Sequence, residues 1–250
     1  MDPVLYHAHH SRYQNDLPFW ISQTQNRDPV LELGCGTGRV ALPLARQGCR
    51  VWGLDHDPEM LRLARNLLAG EPEAVRERIT LVEADMVSWN ANLRFGSAVS
   101  ACNTLSTLPS RIRHRLFENL IGFVEPAGRF AFSVPNPPRL AELAEEDGAV
   151  EEAAFRHPGS GLPVIVSSRI TREGDRIGWV WIYDVLHPEG KVIRQTVKSL
   201  HTGASRKDYH QELRAAGWEI REEYGDFDGC AYQVDSPYLI MTAAPARSIG

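Results

Sequence analysis

Three glycines separated by single residues carry the clearest chemical signal in this sequence. Gly34, Gly36 and Gly38 follow the apolar run Val30–Leu33. Glycine has no Cβ and tolerates positive φ, so a loop built from it turns sharply and lets a ligand approach the backbone. A helix that begins just after such a loop offers unpaired N–H groups to a carboxylate or a phosphate. We therefore expect this loop to bind a cofactor.

The residue after the third glycine separates two classes of cofactor that use such loops. A dinucleotide-binding loop has the spacing Gly-x-Gly-x-x-Gly, which requires glycine where this sequence has Arg39. The spacing here is Gly-x-Gly-x-Gly, and Glu32 stands two residues before it. The pattern disfavours NAD, although an NAD-dependent oxidoreductase stays open as an alternative.

The segments around the glycine loop alternate between strand and helix patterns up to Val134. Such alternation predicts βαβ units and an α/β fold with a mostly parallel sheet, in which ligands bind beyond the carboxyl ends of the strands. The predicted strands are residues 30–33, 50–54, 79–83, 97–101, 129–134, 218–224 and 238–242, and the predicted helices are residues 38–47, 58–69, 110–123 and 206–216.

The pattern changes after residue 134. Three β-rich runs follow, joined by short turns that favour antiparallel pairing, and the acidic stretch before them is predicted to be an exposed helix or loop. The runs are residues 164–171, 176–186 and 192–200, and the acidic stretch is residues 142–152. We therefore expect an N-terminal cap segment at residues 1–28, an α/β domain made of residues 29–149 and 201–250, and an antiparallel β insertion at residues 150–200.

The landmarks along the chain resemble those of the class I S-adenosylmethionine-dependent methyltransferases. The segment Glu-x-Gly-x-Gly-x-Gly after an apolar strand is similar to motif I of that family. The later matches are Asp55 at the end of the second strand, Glu83-Ala84-Asp85-Met86 after the third, Ala101-Cys102-Asn103-Thr104-Leu105 after the fourth and Pro126-Ala127-Gly128 before the fifth. The resemblance covers about residues 29–134 well and residues 207–242 acceptably. It implies a Rossmann-like seven-stranded sheet with helices on both faces and S-adenosyl-L-methionine as the cofactor.

The resemblance also assigns roles to individual residues. The three glycines receive the methionine part of the donor, and Glu32 holds the loop or the donor's amino group. Asp55, followed by His56, binds the ribose hydroxyls, a task that suits a carboxylate because it accepts two hydrogen bonds. Asp85 and Met86 bind the adenine. The other expected cofactor contacts are Asn103 and Leu105 after the fourth strand, and Tyr6 and Tyr13 in the cap segment.

The chemistry itself does not point to one catalytic residue. Methyl transfer from a sulfonium is an in-line displacement, so the protein must chiefly align the acceptor and exclude water. A hydroxyl acceptor needs a base, whereas a neutral amine does not. Tyr224 and His201 are weak candidates for such a role. A protein that binds the donor without catalysis is a further alternative, since fold alone does not establish activity.

The middle run of the insertion has an aromatic face. Strict alternation places Ile177, Trp179, Trp181, Tyr183 and Val185 on one side of the strand, and we call this set the aromatic face. It either packs in a core or against a second subunit, which we favour, or it walls an acceptor pocket in which aromatic rings attract a cationic amine. An insertion at this point is similar to that of the glycine and amino-sugar N-methyltransferases, where it forms a lid or a subunit contact. A homodimer through the insertion is therefore considered.

Composition narrows the partners. The 250 residues include 27 Lys and Arg against 32 Asp and Glu, a net charge of −5 that disfavours recognition of nucleic acid through its phosphates. The four cysteines form no Cys-x-x-Cys pair, and no metal site is expected. The N-terminus lacks the apolar region of a signal peptide, and no long apolar run suggests a membrane span. We expect a cytoplasmic enzyme with a small-molecule methyl acceptor.

Overall fold

The computed structural model describes residues 2–246 and divides the chain into two compact units. We call residues 15–139 with 204–246 the large unit, and residues 2–14 with 140–203 the small unit. The glycine loop and the seven-stranded sheet belong to the large unit. Their positions are therefore set within that unit.

The elements of the large unit are seven strands and six α-helices, with one 3-10 helix. The strands are β1 (Val30–Leu33), β2 (Val51–Asp55), β3 (Ile79–Glu83), β4 (Phe95–Ser100), β5 (Val124–Pro135), β10 (Trp218–Tyr224) and β11 (Tyr238–Pro245). The helices are α2 (Leu17–Thr24), α3 (Ala41–Arg46), α4 (Pro58–Ala69), α5 (Glu73–Arg76), α6 (Ser110–Leu120) and α8 (Arg206–Ala215), and the 3-10 helix is Thr104–Thr107.

The small unit contains α1 (Pro3–His10) and the strands β6 (Val150–Arg156), β7 (Pro163–Glu173), β8 (Arg176–Leu186) and β9 (Val192–Thr202). Helix α7 (Pro137–Glu142) contains the point at which the chain passes from the large unit to the small one.

The strand order in the large unit is β10-β11-β5-β4-β1-β2-β3. Strands β3, β2, β1, β4 and β5 are mutually parallel, and β11 runs antiparallel to both of its neighbours. The chain moves from β1 to one side of the sheet and later returns to β4 on the other side. That reversal is the point at which open α/β sheets bind ligands. The predicted fold class, a mostly parallel seven-stranded sheet with an antiparallel β insertion, is confirmed.

Alternate residues of the strands fill one core on each face of the sheet. Leu31 and Leu33 of β1 pack in a cluster that includes Phe117 of α6 and Leu213 of α8. Val30 belongs to the opposite cluster, with residues of α2 and α3. Because both faces of the parallel strands are buried, their sequences are apolar almost throughout rather than alternating.

A buried ion pair connects α6 to α8. The fully buried Arg113 donates from Nε and Nη2 to the Glu212 carboxylate at 2.6 and 2.7 Å, and from Nη1 to the Leu108 carbonyl at 3.0 Å. Its guanidinium carbon lies 4.4 Å from the centre of the Tyr209 ring. The charge is thus fully paired inside the core, and loss of either partner would leave an uncompensated buried charge.

The small unit is a four-stranded antiparallel sheet in the order β6-β7-β8-β9. Helix α1 covers part of the aromatic face, with Leu5 packed in the same cluster as Tyr183. His9 Nδ1 lies 3.1 Å from the Tyr183 hydroxyl, and its ring meets that of Trp181 edge-on at 5.0 Å. Part of the aromatic face is therefore the core of the small unit.

The insertion has four strands where the sequence predicts three. The additional strand, β6, begins inside the acidic stretch that was expected to be a helix or loop. Its residues lack an apolar alternation, and Phe155 alone among them is buried. Pairing with β7, in a register that places Phe155 opposite Val164, provides the backbone hydrogen bonds that define it as a strand.

We expect Arg113→Met to lower the free energy of unfolding by about 3–5 kcal/mol, because the variant leaves Glu212 buried without its cation. Urea unfolding followed by circular dichroism measures this. Arg62→Met, which removes the exposed pair between Arg62 and Glu59, is the control and should change stability little. Equal effects of the two variants would contradict a structural role for the buried pair.

Candidate functional site

The glycine loop follows β1 in the conformation that its residues require. Gly34, Gly36 and Gly38 have φ of +72°, +54° and +83°. A Cβ on Gly34 would stand 2.9 Å from Thr104 Cγ2, so the loop packs closely on the segment after β4. A Cβ on Gly36 would meet nothing within 4 Å, so this glycine borders open space. The backbone at Gly36 is therefore accessible to a ligand.

Asp55 holds the loop from the side of β2. One oxygen of its carboxylate accepts a hydrogen bond from the Gly36 N–H at 2.7 Å, and the other accepts from the Asp57 N–H at 2.9 Å. Each carboxylate oxygen has a second acceptor position, so both oxygens still have capacity for ligand hydroxyls. The neighbouring His56 side chain is 82% exposed, with Nδ1 at 3.7 Å from Asp55 Oδ1.

Glu32 is a buried carboxyl group with incomplete hydrogen bonding. The Ala41 N–H, at the start of α3, hydrogen bonds to it, but Oε2 is buried and has no partner in the described part of the chain. Burial raises the pKa of Glu32 to about 8; Asp55 contributes in the same direction, and Arg39 opposes it. A cationic donor placed at Oε2 would both complete the hydrogen bonding and favour the ionised carboxylate.

A strained turn follows β4, next to the glycine loop. Cys102 and Asn103 have φ of +55° and +60°, in the left-handed region that residues other than glycine rarely adopt. The Asn103 carbonyl accepts from the Ser106 hydroxyl at 2.6 Å, while its side-chain Oδ1 is buried without a partner among residues 2–246. Strain of this kind is typical of functional sites.

Two unpartnered acceptors among residues 2–246 therefore belong to β1 and to the turn after its neighbour β4. Glu32 Oε2 and Asn103 Oδ1 both lack a donor, and the amino group of S-adenosylmethionine is a donor with three N–H bonds. With the open space at Gly36, the residues present fit this cofactor.

Arg39 and Asp16 form a buried pair beside the loop. Arg39 Nη1 and Nη2 donate to the two Asp16 oxygens at 2.7 and 2.6 Å, and the side chains are 10% and 2% exposed. Burial, the largest single influence, disfavours the charged guanidinium, but the hydrogen bonds and charges of Asp16 and Cys102 together outweigh it and raise the pKa of Arg39. Arg39 Nη2 also lies 2.9 Å from Cys102 Sγ. Arg39 thus joins the loop after β1, the turn after β4 and the segment before β1.

The residues expected at the adenine differ in their surroundings. Asp85 follows β3 and is exposed, and its Oδ1 accepts from the Val87 N–H at 2.9 Å. Met86 is partly buried against the core. Leu105 is fully buried in the same core, so the structure gives its side chain a packing role.

Three other predicted site residues lie in the small unit. Tyr6 and Tyr13 belong to the small unit, where the Tyr6 ring lies 4.2 Å from that of His10 and Tyr13 is 39% exposed. They stay predictions as cofactor contacts. His201 is buried on β9 of the same unit, 3.0 Å from the Ser199 hydroxyl, and burial lowers its pKa to about 4. It is therefore neutral at physiological pH and a weak base.

Tyr224 ends β10, the edge strand of the sheet. Four strand-to-strand steps separate β10 from β1, a distance of about 19 Å at the usual spacing. Burial and a hydrogen bond to Glu222 raise the pKa of Tyr224, and its ring packs edge-on against Phe19 at 5.4 Å. A catalytic role for Tyr224 stays a prediction.

Among the described residues, no group of three or more His, Cys, Asp or Glu side chains is arranged to hold a metal ion. Across residues 2–246, none of the helices is long and apolar enough to cross a membrane.

Comparison with known proteins shows that the segment containing the glycine loop is similar to methyltransferases. A family model described as a methyltransferase domain matches residues 30–128. The chain is 25% identical over 257 residues to the putative methyltransferase YqeM of Bacillus subtilis (strain 168), covering 99% of this chain and 95% of YqeM. The solved structures show the same fold. S-adenosylmethionine-bound CalS10, an amino pentose methyltransferase from Micromonospora echinaspora, superimposes with a TM-score of 0.73 at 20% identity, covering 97% of each chain. The glycopeptide N-methyltransferase MtfA superimposes with a TM-score of 0.64 at 21% identity, covering 93% of this chain and 90% of MtfA.

The chain carries a methyltransferase domain at residues 30–128, in the fold of the class I S-adenosylmethionine-dependent methyltransferases, a class whose cofactor is S-adenosyl-L-methionine. The class follows from the motif, the strand order and the matched methyltransferase domain together. The NAD-dependent alternative is thereby set aside, in agreement with the arginine at position 39.

Asp16 is the part of the site that sequence reasoning missed. It stands 23 residues before Arg39, in a segment without a motif, so no local spacing connects the two. Arg39 was noted as the residue that breaks the dinucleotide pattern, but not as a partner in an ion pair. A buried arginine requires a carboxylate partner, but the residues next to Arg39 in sequence do not indicate where that partner lies.

We expect Gly36→Ala to weaken binding of S-adenosylhomocysteine, because the added methyl group points into the open space at the loop and strains a positive φ. Isothermal titration calorimetry measures the dissociation constant. Gly190→Ala is the matched control, since Gly190 also has a positive φ of +78° and open space around it, but lies in a turn of the small unit. Equal affinities for Gly36→Ala and the wild type would remove the loop from the site.

We expect Glu32→Gln to stabilise the ligand-free protein increasingly as pH rises from about 5 to about 8. The pKa of Glu32 is about 8 in the folded protein against an ordinary value of 4.5, so the folded state binds an extra proton in this window and the wild type loses stability as pH rises. The upper limit of the difference is about 1.4 kcal/mol per pH unit, with a plateau above the folded pKa. Urea unfolding of both proteins from pH 5 to 9 measures it. A constant difference across this range would show that Glu32 is ionised in the folded protein.

Proposed function

We propose that this methyltransferase transfers the methyl group of S-adenosylmethionine to a nitrogen or oxygen of a small-molecule acceptor, and that the donor binds along the glycine loop. The observation that carries the donor placement is the pair of buried acceptors, Glu32 Oε2 on β1 and Asn103 Oδ1 in the turn after β4, which lack partners among the described residues. Under this proposal they receive the donor's amino group. Asp55 receives the ribose hydroxyls with the capacity left by Gly36 and Asp57.

The chemistry asks the protein mainly to position two molecules. The bound sulfonium supplies an electrophilic methyl carbon; the acceptor's lone pair forms the new bond as the carbon–sulfur bond breaks, and S-adenosylhomocysteine leaves. An amine that enters as the neutral base transfers its proton to solvent afterwards, whereas a hydroxyl acceptor needs a base nearby. The described residues around the glycine loop bind and orient the donor, which is consistent with an amine acceptor.

The acceptor class rests on similarity and charge. Among the structural relatives, CalS10 is an amino pentose methyltransferase and MtfA a glycopeptide N-methyltransferase. The net charge of −5 suits a small molecule better than a nucleic acid. The four free cysteines fit a reducing cytoplasm.

A turnover assay tests this function. The purified protein and S-adenosylmethionine are incubated with amino sugars (free and nucleotide-linked), small amino acids, sugar alcohols, a structured RNA and a basic peptide, and S-adenosylhomocysteine is quantified by mass spectrometry. We expect turnover with at least one small amine or hydroxyl compound and none with RNA or peptide. Asp55→Ala should weaken binding of S-adenosylhomocysteine by about 1–3 kcal/mol through loss of charged hydrogen bonds, and should lower turnover in parallel.

The turnover assay and the Asp55→Ala titration each have a result that would contradict the proposal. Turnover with RNA or peptide alone would replace the small-molecule acceptor by that macromolecule. Unchanged affinity in Asp55→Ala would remove the carboxylate from the donor site. Glu59→Ala is the control for Asp55→Ala, because it removes a carboxylate from the start of α4 that is 57% exposed and pairs with Arg62.

A further inference from the structure

The most completely bonded buried charge beside the donor site is Asp16, and no part of the transfer chemistry uses it. Both of its oxygens accept from Arg39, and Oδ2 also accepts from the Trp20 indole N–H at 2.9 Å. The Asp16 side chain is 2% exposed and Trp20 is fully buried. A bidentate contact between a guanidinium and a carboxylate fixes both distance and orientation.

Asp16 sits at the N-cap of α2 but does not cap it. Aspartate is among the residues preferred at that position because its carboxylate accepts from the first free N–H groups of the helix. Here its side chain makes no capping hydrogen bond, and both oxygens are directed to Arg39 and Trp20 instead. The Asp16 side chain therefore pairs with Arg39, which follows the glycine loop, instead of capping α2.

Arg39 extends this contact to the strained turn after β4. Its Nη2 lies 2.9 Å from Cys102 Sγ, and Cys102 and Asn103 are consecutive residues in the left-handed region. Such a conformation persists only where the surrounding structure holds it. Asn103 carries one of the two unpartnered buried oxygens, so the restraint on Cys102 acts one residue away from a proposed donor contact.

We propose that Arg39 and Asp16 are a positioning pair for donor binding, which fixes the glycine loop and the Cys102–Asn103 turn in their ligand-binding arrangement by anchoring both to the segment 15–24. The inference rests on the proposed placement of the donor at the glycine loop. It adds that neither residue touches the donor, and that donor binding and the docking of residues 15–24 are thermodynamically linked. By reciprocity, the donor must then stabilise that segment as much as the segment stabilises the bound donor.

Calorimetric titration with S-adenosylhomocysteine tests the pair in the full-length protein. We expect Arg39→Met and Asp16→Asn each to weaken binding by about tenfold, and the double variant to be no weaker than the weaker single one. Arg39→Lys keeps the charge but not the two-pronged contact, and we expect it to recover only part of the affinity. Additive losses in the double variant would mean that the two residues act separately, contrary to the proposal.

Arg113→Met is the matched control for stability. It also breaks a buried bidentate pair in the large unit, between α6 and α8. We expect it to lower the unfolding midpoint as much as Arg39→Met or more while leaving the dissociation constant for S-adenosylhomocysteine unchanged. Weaker binding in Arg113→Met, in proportion to its lost stability, would reduce the Arg39 effect to general destabilisation and overturn the proposal.

Hydrogen exchange distinguishes a pair that is linked to donor binding from a pair that only stabilises the fold. We expect S-adenosylhomocysteine to slow amide exchange in residues 15–24 of the wild type, because Arg39 bonds to Asp16 and Asp16 in turn bonds to Trp20. In Arg39→Met, at ligand concentrations that saturate it, this protection should disappear while protection at residues 34–38 remains. Equal protection of residues 15–24 in both proteins would overturn the linkage.

The failure of this inference differs from the failure of the proposed donor site. If the wild type and Gly36→Ala bind S-adenosylhomocysteine equally well, the placement at the loop is wrong. If Gly36→Ala is weakened but Arg39→Met and Asp16→Asn bind like the wild type, the loop is the site and the positioning pair is overturned.

Discussion

The conformation of the glycine loop is the constraint on which the donor site depends. Three successive positive-φ glycines supply flexibility in the unfolded chain, so the folded loop must be fixed by contacts from outside. Asp55 bonds to it from β2, Thr104 packs on it from the segment after β4, and Arg39 links it to Asp16. The carboxyl edge of a parallel sheet makes this arrangement available, because the ends of β1, β2 and β4 lie side by side there.

Buried carboxyl groups with different numbers of hydrogen-bond partners lie at this edge of the sheet. The Asp16 carboxylate is fully hydrogen bonded by Arg39 and Trp20, whereas Glu32 keeps one oxygen without a partner and has a raised pKa. A paired buried charge contributes fixed geometry, whereas burial favours the neutral form of the Glu32 carboxyl until a cationic ligand favours its ionised form. The site thus combines a rigid support with acceptors left for a donor, a division that suits an enzyme whose chemistry is mainly positioning.

Most of the large unit was predictable because its signals are local. Apolar runs of strand length and the spacing of the glycines each act within a few residues, and the structure confirms the strands. Helix α4 likewise begins at a local signal, with Asp57 as its N-cap and Pro58 as its first residue. β6 was missed because its residues have no apolar alternation, and only pairing with β7 makes them a strand. Leu105 stays a prediction as a cofactor contact, and spacing alone does not show that its side chain also packs in the core.

The sequence by itself determined the class of the protein, since the glycine spacing, Glu32 and the acidic strand ends follow from short stretches of chain. Only the tertiary structure decided which polar side chains of the site have hydrogen-bond partners. It pairs Arg39 with a carboxylate 23 residues away, leaves Glu32 Oε2 and Asn103 Oδ1 without donors, and directs part of the aromatic face into the core of the small unit. The physical reason is that burial and hydrogen-bond partners depend on the packing of distant segments, whereas turns, caps and alternation depend on neighbouring residues.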